Sequence, residues 1–425
     1  MKTLIKNVYT LLPDGTTPLT NILIDKDRIV GVGEVPEDFR PGKVIDGTDH
    51  FAIPGFVNAH THTSMTLLRS YRDDMALMDW LHSIWPIEDK MQSEDIYWGA
   101  MLAMAEMIRT GTTTFADMYG PYMERVAEAT MDAGMRGVLS RGIIGTAPDG
   151  EARLQTNVEL YKDYNGAADG RITVMFGPHA PYTCPPDFLK KVAKAAQSLD
   201  AEIHIHMHET LDEINGSMKT YGKRPFAWVE ETGLFDGKGT LAAHCVHMDE
   251  NDIEIVKRHH IRVAHNPTSN MKLASGVAPV PRMLQEGICV ALGTDGTSSN
   301  NNLDMLEEVN LAAMLHKVHA LDPLAIPALT ALKMGTEYGA EAVGIPDIGK
   351  IEKGYKADIT LFNMDSVAWC PRHDLVSLLV YAASSRDVDT VLVDGRVLFE
   401  NGAYTTLDVE RIQYETQRAA DRLTK

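Results

Sequence analysis

The chain has 425 residues, enough at roughly 100–200 residues per domain for two or three domains or one large α/β domain with additions, so a single small module is excluded. Apolar residues make up 44% and charged residues 23%, and 33 Gly with 20 Pro are too few for a disordered or collagenous chain. With 40 Lys+Arg against 59 Asp+Glu the net charge is −19, a field that repels phosphate backbones and anionic lipid surfaces and argues against nucleic-acid and membrane partners.

Residues 2–50 alternate short β-type runs with turns, TLIKNVYTLL, NILIDKDRIVGVG and KVIDGTDHFAI, which read as hairpins. The N-terminus lacks a signal-peptide apolar stretch, and no segment reaches the ~20 apolar residues of a membrane span. From Phe51 to about Gly349, strand-like runs alternate with helix-like stretches. The runs are FAIPGFV, TTTFADM, GVLSRGI, ITVMFGPHA, EIHIHMHE, TLAAHCVH, RVAHNP and CVALGTDG, with amphipathic candidates such as SEDIYWGAMLAMAEMIRTG and DMLEEVNLAAMLHKV between them. This alternation matches a (β/α)8 TIM-type barrel over residues 55–349. Toward the C-terminus, KADITLFN and DTVLVDGRVLF return to the β style, with Asp394-Gly395 as a two-residue hairpin signal. Residues 1–54 and 350–425 therefore read as one composite β-sandwich domain, followed by a helical tail from about Leu407 whose apolar face is too thin to stand alone.

Cys184, Cys245, Cys289 and Cys370 are widely separated and form no C-x-x-C, so a reducing, cytoplasmic setting is expected rather than a disulfide framework or a cysteine zinc site. The 22 Met residues read as adaptable core filling.

Most of the strand-like runs end in, or run into, a titratable or basic residue: His60 and His62, Asp117, Arg141, His179, His206 to Glu209, His244 and His247, His265, and Asp295. Barrel enzymes place their sites at the C-terminal ends of the strands, so the pattern points to one site. Residues two apart on a strand point the same way, so His60 and His62 can reach one metal. His206 and Asp295, at two further strand ends, complete a His₃Asp set, and such a site with coordination left for water is catalytic rather than structural. His204, His206 and His208 alternate onto one strand face, so spacing does not choose among them.

PGFVNAHTH, HMHET, LAAHC and LGTDG, in this order, resemble the signatures of the amidohydrolase superfamily. WPIEDK, LSRG, GPHAPYTC, AAHCVHM, HNPTSNMKLASGVAPV and LGTDGTSSNN are similar to its deaminases acting on 5′-methylthioadenosine and S-adenosylhomocysteine, over nearly the whole chain. The resemblance implies one divalent metal ion on His60, His62, His206 and Asp295, zinc by family habit with ferrous iron as the alternative. It selects His206 by its offset to Glu209, which becomes the proton carrier. It puts His244 beside the reacting carbon and gives Asp295 the proton of the attacking water. Glu88 then holds the ribose hydroxyls, His179 contacts the purine, and Arg141 and Arg153 meet the amino-acid carboxylate of a long substrate.

The implied reaction is hydrolytic deamination of a 6-aminopurine nucleoside to its inosine analogue and ammonia. Guanine deamination and triazine hydrolysis on the same site are the enzymatic alternatives, and a barrel that has lost its activity is the non-enzymatic one. Retention of the four ligands, Glu209 and His244 argues against the last. His204 and His208 read as packed or supporting histidines, His247 and His265 lie near the site, and Asp117 reads as a structural acceptor rather than a second ligand. Gly31-Val-Gly33 lacks the third glycine of a dinucleotide fingerprint, and no P-C-x-x-C or His-Glu-x-x-His occurs. A homo-oligomer is compatible with the fold class, with no interface signature in the chain.

Overall fold

The computed structural model describes residues 1–425. The N-terminal strands are β1 (Lys2–Thr10), β2 (Leu19–Asp25), β3 (Arg28–Val32), β4 (Lys43–Asp46) and β5 (His50–Pro54). The middle of the chain contributes β6 (Phe56–Thr61), β7 (Thr112–Tyr119), β8 (Arg136–Ile143), β9 (Ile172–Val174) and β10 (Gly177–Pro178). It continues with β11 (Ile203–Met207), β12 (Thr240–His244), β13 (Arg262–His265) and β14 (Val290–Leu292). The C-terminal strands are β15 (Ile359–Asn363), β16 (Val388–Val393), β17 (Arg396–Glu400) and β18 (Ala403–Tyr404).

Strands from both ends form one mixed sheet of nine, in the order β18-β17-β16-β15-β5-β1-β2-β3, with β4 also paired to β1. The join between the two ends is β15 against β5, antiparallel over five residue pairs from Ile359–Pro54 to Asn363–His50. At Asp394 and Gly395 φ is 48° and 69°, the left-handed pair that a tight hairpin between β16 and β17 requires. KVIDGTDHFAI departs from the expected hairpin, because β4 and β5 do not pair with each other; each runs parallel to β1. FAIPGFV also divides: FAIP completes β5 in this sheet, and Phe56-Val57 opens β6 in the next. Gly55 marks the crossing, where a Cβ would lie 2.2 Å from the Thr113 side chain.

The middle of the chain builds two parallel sheets, one of five strands ordered β10-β8-β7-β6 with β9 on β8, and one of four ordered β11-β12-β13-β14. Every residue of β6, β7, β11 and β12 is buried, as expected for parallel strands covered on both faces. A parallel bridge, Phe176 to Ile203, links the two sheets on one side. On the other, Asp295 N–H donates to His60 O at 2.9 Å and Asn58 Nδ2 donates to Thr294 Oγ1 at 2.7 Å. The amphipathic stretches form the helices Ser93–Arg109, Met123–Ala133, Pro186–Ser198 and Met305–Ala320. The helical tail, Val409–Thr424, buries Ile412, Thr416, Ala419 and Leu423, and Thr416 Oγ1 donates to Trp98 O at 3.2 Å on the first of these helices. No helix is long and apolar enough to cross a membrane.

Arg136, the first residue of β8 and 2% exposed, ties the mixed sheet to the parallel strands. Its guanidinium donates to both oxygens of Asp358 at 3.0 and 3.2 Å and to Asp394 at 2.6 Å. Burial alone would lower the Arg136 pKa, but the two carboxylates hold it above its ordinary value. Removing one partner of a buried ion network strands the other charges, so Arg136→Ala should cost about 3–5 kcal/mol of unfolding free energy in urea titration. An unchanged midpoint would show that Asp358 and Asp394 are not held by this arginine.

Candidate active site

Strand ends deliver the titratable residues to one place. His60 lies within β6 and His62 just beyond it, His206 lies in β11, His244 ends β12, and Asp295 follows β14. All five are buried. Their donor atoms form two overlapping groups, His60/His62/Asp295 and His60/His206/His244, each with all its atoms within 4.8 Å of one another. His62 Nε2 lies 3.1 Å and His60 Nε2 3.5 Å from Asp295 Oδ1.

The outer ring nitrogens are each taken by a neighbour. His60 Nδ1 meets His204 Nε2 at 2.9 Å, His62 Nδ1 meets Met118 O, His206 Nδ1 meets His179 O at 2.7 Å, and His244 Nδ1 meets Asn270 Oδ1 at 2.9 Å. The Nε2 atoms are thereby left for the centre, and His60 Nε2 is buried with no hydrogen-bond partner. Burial pushes the pKa of His60 down to about 4 and that of His206 well below its usual value. Neutral imidazoles with inward lone pairs are what metal ligation requires. Burial would raise the Asp295 carboxyl, but His60 and His62 beside it hold it well below the ordinary carboxylate range. Its Oδ2 accepts from Ser269 Oγ at 2.7 Å and its Oδ1 from Gly296 N–H at 2.8 Å.

The glycines around Asp295 answer to close approach. A Cβ at Gly293 would lie 2.7 Å from the His60 backbone nitrogen and 2.8 Å from its carbonyl oxygen, so glycine there lets this strand end press against β6, and one at Gly296 would lie 2.5 Å from Met65 Sδ and 3.2 Å from His62 Cβ. Asp295, His244 and His208 all have left-handed φ, 61°, 73° and 55°. Such conformations in non-glycine residues concentrate where geometry serves a site.

Glu209 is 5% exposed, and burial raises its pKa. Its Oε2 stands 3.8 Å from His244 Nε2. Glu213 accepts from the backbone N–H of His208 and of Glu209, at 3.0 and 2.9 Å, which fixes the turn that carries Glu209.

These groups open into a cavity of about 670 Å³ that also contains Glu88, Arg141, Arg153 and His179 among its lining residues. Its apolar wall includes Leu77, Trp80, Leu81 and Trp85 from the helix Leu77–Glu88, with Met118, Tyr119 and Leu273. Burial raises the Glu88 pKa while the Tyr119 hydroxyl, donating to Glu88 Oε1 at 2.7 Å, pulls it down. Burial and then the neighbouring Arg153 lower the Arg141 pKa to about 10, and its guanidinium donates to Gly142 O at 2.8 Å and Tyr119 O at 3.3 Å.

All ten sequence-derived site residues are thus brought together. The ambiguous histidines separate: His204 supports His60, whereas His208, past the end of β11, turns away to pack 4.7 Å from Phe226 between ring centroids. The expectation that all three histidines share a strand face fails at His208. His247 bonds Ser275 O at 2.7 Å and His265 pairs with His316 at 3.1 Å, and neither lines the cavity. Asp117 accepts from Thr63, and burial pushes its pKa up to about 6. Sequence reasoning gave no role to Asn270, Ser269 or Tyr119, although Ser269 and Asn270 lie in the segment HNPTSNMKLASGVAPV and Tyr119 ends the strand that carries Asp117.

The amidohydrolase family model matches residues 51–398. The chain belongs to the amidohydrolase family. Within it, this amidohydrolase is 53% identical to a 5-methylthioadenosine/S-adenosylhomocysteine deaminase from Pelotomaculum thermopropionicum, over 97% of this chain and 95% of that one. It is 49% identical to the protein of the same name from Thermoanaerobacter pseudethanolicus, over 100% and 99%. Those matches place it in the 5-methylthioadenosine/S-adenosylhomocysteine deaminase branch of the family. Among solved structures it resembles a zinc-bound adenosine deaminase from Xanthomonas campestris, with a TM-score of 0.94 and 33% identity over 99% of this chain and 98% of that one. A zinc-complexed atrazine chlorohydrolase from Arthrobacter aurescens superposes with a TM-score of 0.92 at 26% identity, covering 98% and 100%.

Tyr119→Phe removes the hydroxyl that holds the Glu88 pKa down, so the Glu88 pKa should rise further. Carboxyl-carbon NMR titration reads it, and an unmoved midpoint would mean that the hydrogen bond is not formed.

Proposed function

We propose that this chain is a metal-dependent aminohydrolase that deaminates the adenine ring of 5′-methylthioadenosine, S-adenosylhomocysteine or a related adenosine derivative, giving the inosine analogue and ammonia. The reading is carried by the convergence of His60, His62, His206 and Asp295 with Glu209 and His244 beside one cavity whose wall holds Glu88, Arg141 and Arg153. The names of its relatives support it.

The donor set fits one divalent ion, zinc with ferrous iron as the alternative: three imidazoles, of which burial keeps His60 and His206 neutral while at His62 the facing Asp295 outweighs burial and raises the pKa, with His60 Nε2 buried without a partner, and an ionised carboxylate. When bound, such an ion supplies Lewis acidity that brings the pKa of a water to about 7. Asp295 would accept a proton from the water that attacks C6. Glu209, whose pKa is raised by burial, would protonate N1. His244, aimed by Asn270, would stabilise the oxygen developing on the tetrahedral carbon. Glu88 would accept from the two ribose hydroxyls and His179 would contact the purine. Arg141 and Arg153 would meet the carboxylate of a long substrate, a geometry guanidinium matches in bidentate fashion.

The same reading takes residues 55–349 as a closed (β/α)8 barrel, and residues 1–54 with 350–425 as one flanking β-sandwich domain. The Phe176–Ile203 bridge on one side and the Asp295–His60 bond on the other support closure. Four cysteines without a disulfide support a cytoplasmic location, and a net charge of −19 supports a small-molecule partner over nucleic acid or membrane.

His206→Ala should lose both the bound metal, by elemental analysis, and turnover. Glu209→Gln should keep fold and metal but lose at least about 10²-fold in kcat; turnover within threefold of the unaltered protein would remove Glu209 from the proton-carrying role. Ammonia release from adenosine, 5′-methylthioadenosine, 5′-deoxyadenosine, S-adenosylhomocysteine, adenine and guanine tests the substrate class. Guanine or a triazine as the best substrate would overturn the nucleoside reading.

A further inference from the structure

The amino-acid tail of a long nucleoside is a zwitterion, so a pocket with arginines alone would answer only half of it. The rim of the cavity carries a third charge beside Arg141 and Arg153. Asp149 lines the same cavity, and its Oδ1 accepts from Arg153 Nε at 2.9 Å. Its Oδ2 accepts no hydrogen bond from another side chain.

Its place in the chain makes this arrangement unusual. Asp149 is the residue before the helix Gly150–Tyr164, where an aspartate ordinarily accepts the N–H of the second or third helical residue. Here the side chain makes no such bond and turns to the cavity instead. The Arg153 hydrogen bond first, then the charges of Arg153 and Arg141, hold its carboxyl below the usual range, so it is an anion at neutral pH. With 55% of the Asp149 side chain exposed, an ion pair of this kind is weakly held and rearranges readily when another charge enters.

Resting on the nucleoside reading above, we infer that Asp149 is a specificity-determining residue that accepts hydrogen bonds from the α-ammonium of an amino-acid tail, while the arginines take its carboxylate. A carboxylate between an ammonium and a guanidinium is a charge-assisted acceptor for both. Substrates without the ammonium gain nothing from it, and an anionic tail without one meets an unanswered negative charge. Discrimination then comes from attraction and repulsion together.

The test compares three nucleosides on the metal-loaded full chain: 5′-methylthioadenosine, S-adenosylhomocysteine, and 5′-(3-carboxypropylthio)-5′-deoxyadenosine, which keeps the tail carboxylate and lacks the ammonium. Asp149→Asn preserves an acceptor for Arg153 and an acceptable residue at the helix start. It should lower kcat/KM for S-adenosylhomocysteine at least tenfold, through KM. 5′-Methylthioadenosine should change by less than threefold and the carboxypropyl nucleoside should hold or gain as the repelling charge is removed, so the preference for the ammonium-bearing tail collapses. Equal losses on both carboxylate-bearing nucleosides would mean that Asp149 acts only by orienting Arg153, and would overturn the inference. So would an unchanged profile, or the same collapse from Asp89→Asn, the other exposed carboxylate lining this cavity. Failure of the unaltered protein to release ammonia from S-adenosylhomocysteine, with activity on 5′-methylthioadenosine intact, would overturn the long-tail assignment and this inference with it; no activity on any nucleoside would overturn the nucleoside reading.

Discussion

Asp295 is the point at which chain topology and chemistry meet. Its backbone N–H bonds the carbonyl of His60, so the last parallel strand is fastened to the first at the level of the imidazoles. Its carboxylate is fixed by Ser269 and by the next backbone N–H, facing His60 and His62. A side chain at Gly293 would press a Cβ to 2.7 Å from the His60 backbone nitrogen and 2.8 Å from its carbonyl oxygen, against the first of these fastenings. Because the site is assembled between the ends of separate strands, a shift of either sheet would move some ligands and not others.

Burial sets the chemistry of the site. An imidazole removed from water resists protonation and keeps its lone pair, while a carboxyl removed from water resists ionisation. The same desolvation therefore prepares His60 and His206 as neutral donors and Glu209 as a proton reservoir. Asp295 escapes that fate because two imidazoles face it. Left-handed conformations at His208, His244 and Asp295 add local cost of order 1–3 kcal/mol each, which the surrounding packing must hold in place.

Much of this was legible in the sequence because apolar parallel strands that end in titratable residues leave a repeated trace, and His60, His62, Asp295 and Glu209 sit at or just past such ends. What was illegible depends on backbone conformation or on distant partners. His208 is equivalent to His206 on a two-residue period, yet a left-handed turn held by Glu213 rotates it out of the site. KVIDGTDHFAI has the turn residues of a hairpin, but β1 offers both of its strands a parallel edge, and edge pairing is decided by tertiary packing. Asn270 and Ser269 act through His244 and Asp295 across loops; their segment, HNPTSNMKLASGVAPV, stands out in the sequence, but which partner each side chain meets does not.

The join between β5 and β15 has a consequence for synthesis on the ribosome. β5 ends at Pro54 and its partner begins at Ile359, so the two halves of the mixed sheet are separated by about 300 residues of chain. At roughly 5–20 residues per second, the edge of β5 waits on the order of 15–60 s for its partner to emerge. During that interval Phe51, Ala52 and Ile53, all fully buried in the finished protein, lie along an unpaired strand edge. An edge of that kind is a template for pairing with another nascent chain. Arg136, made long before Asp358 and Asp394, likewise waits without its partners. The nascent chain can order its parallel strands early, but the mixed sheet closes only after the strands from Ile359 to Glu400 have emerged, so the vulnerable period of this protein lies before those strands leave the ribosome.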